Sequence, residues 1–147
     1  MKRRSFVFAA IAAPSLMAGC AAPIGYNPLP GGASSMLSGA QKYMGLNADQ
    51  TAASLGSMFA LAQNKLPAAD WAKLGTTVPG IGDIVSKGAA AGGFSPTSIT
   101  SLQSVVDAAG KMGVNSSQIK ALAGYVTNSM SGAGGTSAAN LLSGVWR

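Results

Sequence analysis

The sequence predicts an all-α fold, a small bundle of about six or seven short helices. Three observations predict it. Apolar residues recur at i, i+3, i+4 and i+7 along the chain beyond residue 35, and no stretch shows the alternation of a half-buried strand. Prolines and glycines fall where such periodic segments start and stop. One helix–Gly–helix corner occurs twice.

The elements follow in order. Helix 1 is expected over about 34–44 and helix 2 over about 48–65, where Leu55, Met58, Phe59, Ala62 and Leu66 share a face. Pro67 starts helix 3, since a first-turn proline loses no intrahelical hydrogen bond. That helix carries Trp71 and Leu74 and ends near Gly75. Pro79 opens a short helix 4 with Ile81, Ile84 and Val85, and Gly88 and Gly92-Gly93 mark a break. Ser95-Pro96 reads as an N-cap and first-turn proline of helix 5, which runs to about Met112 and buries Ile99, Leu102, Val105, Val106 and Ala109. Helix 6 covers about 116–131 with Ile119, Leu122, Ala123, Val126 and Met130 inward, and Gly132, Gly134 and Gly135 end it. Helix 7 covers about 136–146 with Leu141, Leu142, Val145 and Trp146.

The repeated corner joins Met44-Gly45-Leu46-Asn47-Ala48-Asp49-Gln50 to Met112-Gly113-Val114-Asn115-Ser116-Ser117-Gln118 at an offset of 68 residues, with Ala53 and Gly56 continuing onto Ala121 and Gly124. Gly45 and Gly113 are expected to end the preceding helices in the left-handed region. Asn47 and Asn115 are the N-caps, and Gln50 and Gln118 complete capping boxes. Leu46 and Val114 are the matching hydrophobic staples. Two copies are too few for a solenoid.

Composition excludes more than it assigns. Only 10% of residues are charged, against about 25% in ordinary soluble domains. Net charge is +6, but Lys2, Arg3 and Arg4 supply part of it; without them seven basic side chains face four aspartates, a net of +3 without clustering. Nucleic-acid binding needs a basic cluster, so none is expected. There is no His and no Glu, which removes Ser–His and Cys–His nucleophile systems and most zinc sites. Asp49, Asp70 and Asp83 sit in first turns of helices, where they complement the dipole, and Lys65, Lys73, Lys87 and Lys111 lie near helix ends. Ser116/Lys120 and Ser38/Lys42 stand at i, i+4, a spacing that helices often show by chance. No metal, cofactor or catalytic residue is expected. Trp71, Trp146, Tyr43 and Tyr125 are candidates for a binding patch, with core or edge packing the plainer reading. Met44, Met58, Met112 and Met130 fit core filling better than an adaptable groove.

Residues 1–19 carry an export pattern: Lys2-Arg3-Arg4, then a short apolar stretch (Phe6, Val7, Phe8, Ile11, Leu16), then small residues. The stretch is shorter than the ~20 residues a membrane span needs. Met17-Ala18-Gly19-Cys20 resembles the lipobox of bacterial lipoproteins, with Met17 where Leu is usual. The resemblance implies cleavage between Gly19 and Cys20, lipidation of Cys20, and membrane attachment through N-terminal acyl chains. Ala21 at the next position implies the periplasmic face of the outer membrane. Arg3-Arg4-Ser5-Phe6-Val7 also loosely resembles a twin-arginine signal. Residues 20–35, with Pro23, Pro28, Pro30 and Gly31-Gly32, read as the lipidated cysteine and a flexible tether, and 36–147 as the helical domain.

Leu55 to Ile81 (LGSMFALAQNKLPAADWAKLGTTVPGI) and Met112 to Trp146 (MGVNSSQIKALAGYV, a Gly-rich turn, AANLLSGVW) resemble the VcgC/VcgE-type domain, a small bacterial family of unknown function. The resemblance spans roughly residues 45–146. It implies an all-helical fold and no catalytic residues.

Together these readings lead to an expected non-enzymatic envelope lipoprotein acting by protein–protein interaction or as a structural component, with an unidentified envelope protein as its partner. The alternative is a small-ligand or lipid-binding helical domain at the membrane surface. Leu141, Leu142 and Trp146 are the candidate face for a membrane or a partner.

Overall fold

The computed structural model describes residues 32–132 and 135–147. Among these residues there are seven α-helices, one 3-10 turn and no strand, so the predicted all-α bundle is the observed one. The helices are α1 (Gly32–Met44), α2 (Ala48–Lys65), α3 (Ala68–Thr77), α4 (Ile81–Gly92), α5 (Leu102–Gly110), α6 (Ser116–Gly132) and α7 (Thr136–Val145); the 3-10 turn is Pro96–Ser98.

α2 is the axis of the bundle. Every other helix touches it. Leu55, Met58, Phe59 and Ala62 are fully buried, as the periodicity predicts. The opposite side is buried too, because it is built from small residues: Ala53, Ser54, Gly56, Ser57 and Ala60 are all inaccessible. Their hydroxyls need no partner from another helix. Ser54 Oγ donates to Gln50 O (2.7 Å), Ser57 Oγ to Ser54 O (3.0 Å), and Thr51 Oγ1 to Asn47 O (2.8 Å). Each polar side chain thus satisfies itself on its own helix before burial, which removes the cost of an orphaned donor.

The closest neighbour of α2 is α4, which runs antiparallel to it and crosses at two glycines. A Cβ on Gly88 would lie 2.4 Å from Ala52 O and 2.5 Å from Gly56 Cα; one on Gly56 would lie 2.5 Å from Gly88 Cα and 2.8 Å from Ile84 O. Nothing larger than hydrogen fits between the two backbones. This overturns the reading of Gly88 as a break: α4 continues through it, and the glycine is there for close approach. Gly92 is the last helical residue, and Gly93, with φ 61°, ends the helix.

Both copies of the corner form as expected. Gly45 and Gly113 have φ of 64° and 80°. Gln50 N–H donates to Asn47 Oδ1 (2.8 Å) while Asn47 N–H donates to Gln50 Oε1 (3.1 Å). At the second corner Gln118 N–H donates to Asn115 Oδ1 (2.9 Å) and Asn115 N–H to Gln118 Oε1 (3.0 Å). Val114 N–H reaches Ala109 O (3.1 Å) and Gly113 N–H reaches Gly110 O (2.9 Å), the paired bonds of a Schellman motif. The likeness ends at the corners: Ala53 and Gly56 are buried in the axis, whereas Ala121 and Gly124 are exposed on α6.

The two corners also touch. Gln50 Nε2 donates to Met112 O (2.9 Å), so one amide caps its own helix with its oxygen and ties down the other corner with its nitrogen. Gln118 has no such second bond. Gln50→Ala is therefore expected to cost about 1 kcal/mol more than Gln118→Ala, the net worth of one hydrogen bond. Urea unfolding of the two variants side by side checks this; equal losses would show the inter-corner bond to be idle.

Several boundaries move. α1 begins at Gly32, which has φ 52° and lies against Pro79; Ala33 N–H donates to Pro79 O (2.9 Å) and Ala33 and Met36 enter the core. Gly32 to Ser35 therefore belong to the folded body and not to the tether. α2 hands over at Leu66 and Pro67 is the N-cap of α3. α3 passes through Gly75 to Thr77, with Thr76 and Thr77 hydroxyls bonded back to Lys73 O. α4 starts after Gly80 (φ 83°), two residues beyond Pro79.

Helix 5 is the largest correction. Pro96 starts only the 3-10 turn, and the Ser95 side chain makes no capping bond to its backbone. The true N-cap of α5 is Ser101, whose Oγ accepts from Ser104 N–H (3.2 Å). The turn is held from outside: Asn64 Nδ2, at the end of α2, donates to Pro96 O (2.8 Å) and Ile99 O (2.9 Å). Ile99 is buried, but from the connection and not from a helix.

Candidate functional site

Cys20 and Gly19 lie outside the described residues. The four capping residues Asn47, Gln50, Asn115 and Gln118 are structural, as their hydrogen bonds show. Leu141, Leu142 and Trp146 do not form an outward face. Leu142 is fully buried, Leu141 is half-buried, and Trp146 is 9% exposed. α7 ends at Val145, and Trp146 caps it by folding inward. Its ring meets Phe59 edge-on with centroids 6.2 Å apart, and its indole N–H donates to Met58 O at 3.3 Å. The apolar stripe faces the core because α2 offers Met58 and Phe59 opposite it. Met58 and Met130 are fully buried and Met44 and Met112 pack at the core's edge, which agrees with core filling.

The charged groups are dispersed. Lys73 Nζ and Asp70 Oδ1 form one ion pair at 2.9 Å on the α3 surface. Gln103 Nε2 donates to Asp107 Oδ1 (2.9 Å) on α5. Among the described residues no three His, Cys, Asp or Glu side chains come together as a metal site. Ser38 and Lys42 are exposed on α1, and Ser116 and Lys120 on α6. Ser117 to Lys120 has the Ser-x-x-Lys spacing, with both ends exposed.

The concave features are shallow. Between α1 and α4, Lys87 separates a cavity of about 150 Å³ at Ala33, Pro79 and Asp83 from a groove of about 400 Å³ bordered by Gln41, Asp49, Ala52 and Ala90. Another groove of about 510 Å³ runs past Gln63, Asn64, Ser86 and Thr97. The most apolar cavity lies beneath Trp146, lined by Met58, Leu102, Val106, Ile119 and Ala123 together with Ser116 and Lys120, and measures only about 50 Å³. Pockets for small ligands commonly measure ~300–1,000 Å³.

A surface platform missed as a unit by the sequence reading lies where α1 meets α6. Tyr43 and Tyr125 stack with centroids 5.1 Å apart and an interplanar angle of 25°. The two are 82 residues apart, so no local pattern announces the pair. Gly39 makes it possible: a Cβ there would collide with Tyr125 Oη.

These features define a class: a small helical domain wound on a buried, glycine-crossed central helix, with dispersed charges and shallow grooves. The chain belongs to the VcgC/VcgE family of proteins of unknown function, whose model matches residues 27–145. No curated protein and no solved structure matches it.

Proposed function

We propose that this protein is a non-enzymatic lipoprotein of the bacterial envelope, anchored through Cys20 to the periplasmic face of the outer membrane and acting by protein–protein interaction or as a structural component. The observation that carries the reading is the order of features at the N-terminus: a basic start, a short apolar stretch, Ala18-Gly19-Cys20 with the chain's sole cysteine, then a Pro/Gly-rich segment. Three acyl chains of the kind the lipobox implies hold a protein firmly, where one gives only reversible binding. No helix among the described residues is long and apolar enough to cross a membrane.

The test is metabolic labelling with a fatty-acid analogue together with in-cell crosslinking, using Cys20→Ala as the unanchored control. The expected result is label on the wild-type chain and none on Cys20→Ala, with a crosslinked partner lost in the variant. Label absent from the wild type would overturn the lipid anchor. Background proteins alone in both samples would overturn the adaptor role and shift the weight to ligand or lipid binding.

A further inference from the structure

Among the described residues Tyr43 is the one large hydrophobic side chain left fully exposed, at 64%. Its ring lies on that of Tyr125, with centroids 5.1 Å apart and planes 25° from parallel. The fold holds one member of the pair and leaves the other open. Tyr125 is half-buried on α6, with its hydroxyl end against Gly39 of α1, where any added side chain would block it. Tyr43 stands about one turn further along α1. Its exposure leaves it room to turn an edge toward its partner.

The pair bridges two helices. α1 buries Gly32, Ala33, Met36 and Ala40, so Met36 is the one large side chain it commits fully to the core. Its first turn is tied down by the bond from Ala33 N–H to Pro79 O (2.9 Å), and its last turn carries Tyr43. The sequence has a single cysteine, so no disulfide can fasten one of these helices to another. Two phenol rings in contact are the other pair of side chains that oxidation can join.

We infer that Tyr43 and Tyr125 are an oxidative crosslinking site, at which a one-electron oxidant of the haem-peroxidase class, working on hydrogen peroxide, joins the two rings as dityrosine and fastens α1 to α6. Each phenol gives up one electron and one proton and becomes a phenoxyl radical. Its unpaired spin reaches the ring carbons beside the one that bears oxygen. Two such carbons, one Cε from each ring, form the new C–C bond. Each then passes its hydrogen to the phenolic oxygen of its own ring, which restores both hydroxyls. Hydrogen peroxide takes up the two electrons and two protons and leaves as two water molecules. Contact favours this product: the second ring is already 5.1 Å away, whereas a second chain must diffuse to the radical. The bond closes a span of 82 residues, and closing so long a loop removes much of the freedom of the unfolded chain. The inference rests on the tyrosine pair and does not depend on lipidation of Cys20.

The test treats the full-length protein, dilute and in detergent, with a haem peroxidase and hydrogen peroxide. Wild type is expected to gain dityrosine fluorescence, to lose the mass of two hydrogens while staying monomeric, and to yield one crosslinked peptide pair that holds Tyr43 and Tyr125. Tyr43→Phe and Tyr125→Phe keep a stacked ring and remove the phenol, so each is expected to cut the product about tenfold or more. Tyr26→Phe, which removes the third tyrosine of the sequence, is expected to leave the yield unchanged. Crosslinked wild type is expected to melt at a higher temperature than untreated protein, with no such rise in treated Tyr43→Phe. Absence of dityrosine in wild type, crosslinked dimers as the main product, or a yield that survives in Tyr43→Phe would overturn the inference. Crosslinking without a rise in melting temperature would overturn the fastening of α1 to α6.

Discussion

Gly88→Ala is expected to destabilise the domain by about 2 kcal/mol or more, while Gly124→Ala is expected to stabilise it by about 0.5–1 kcal/mol. Both substitutions add one methyl group to a glycine inside a helix, and in isolation both favour the helix by up to about 1 kcal/mol. Their surroundings decide the sign. At Gly88 the new Cβ would meet Ala52 O and Gly56 Cα at 2.4 and 2.5 Å, and both are backbone atoms that cannot rotate away. α2 and α4 must separate, which loosens their packing along the whole crossing; overpacking of this kind costs ~1–3 kcal/mol and sometimes more. At Gly124 nothing lies within 4 Å. Denaturant unfolding of both variants measures the difference. Equal midpoints would show that the two helices do not approach as closely as described.

Trp146→Ala is expected to cost about 3–4 kcal/mol, in the range for truncating a buried tryptophan. The loss has three parts: the apolar area of the ring, its edge-on contact with Phe59, and the bond to Met58 O. Removing the ring would also open the small cavity beneath it to solvent. Trp146→Phe keeps an aromatic ring and gives up the N–H, so a loss of about 1–2 kcal/mol is expected there. Chemical unfolding followed by circular dichroism reads both, and Trp71 remains as a fluorescent reporter. An unchanged midpoint for Trp146→Ala would return the residue to the surface and revive the outward-face reading of α7.

What the sequence discloses is what its local chemistry determines. Gly45, Asn47 and Gln50 form a corner with partners no more than four residues away, and so do Gly113, Asn115 and Gln118; spacing alone finds them. The apolar face of α2 is legible for the same reason. Its second buried face is not. Ser54, Gly56 and Ser57 look like solvent-facing residues until their hydroxyls are seen to bond within the helix and Gly88 to press against Gly56. Gly88 itself is ambiguous in principle, because a glycine that breaks a helix and one that admits a neighbour are the same residue. Long-range polar ties escape as well: Gln50 to Met112 spans 62 residues and Asn64 to Ile99 spans 35. The start of α5 is misplaced because Ser95-Pro96 and Ser101 are both good helix starts, and only the Asn64 clamp separates the first from the helix. Of the candidate surface residues, Tyr43 and Tyr125 are visible as scarce aromatics, but their pairing belongs to the fold.

A helix wrapped on every side leaves no natural seam in the molecule. In a bundle of equal helices, two can pack as a pair and detach as a pair. Here each peripheral helix rests on α2, and α2 keeps its buried serines and glycines covered only while the others stay in place. The domain should accordingly behave as one cooperative unit, in which no half retains its order once the axis is exposed. Divergence among chains of this shape would then collect on the outer faces of α1, α3 and α6, and the axis would tolerate little.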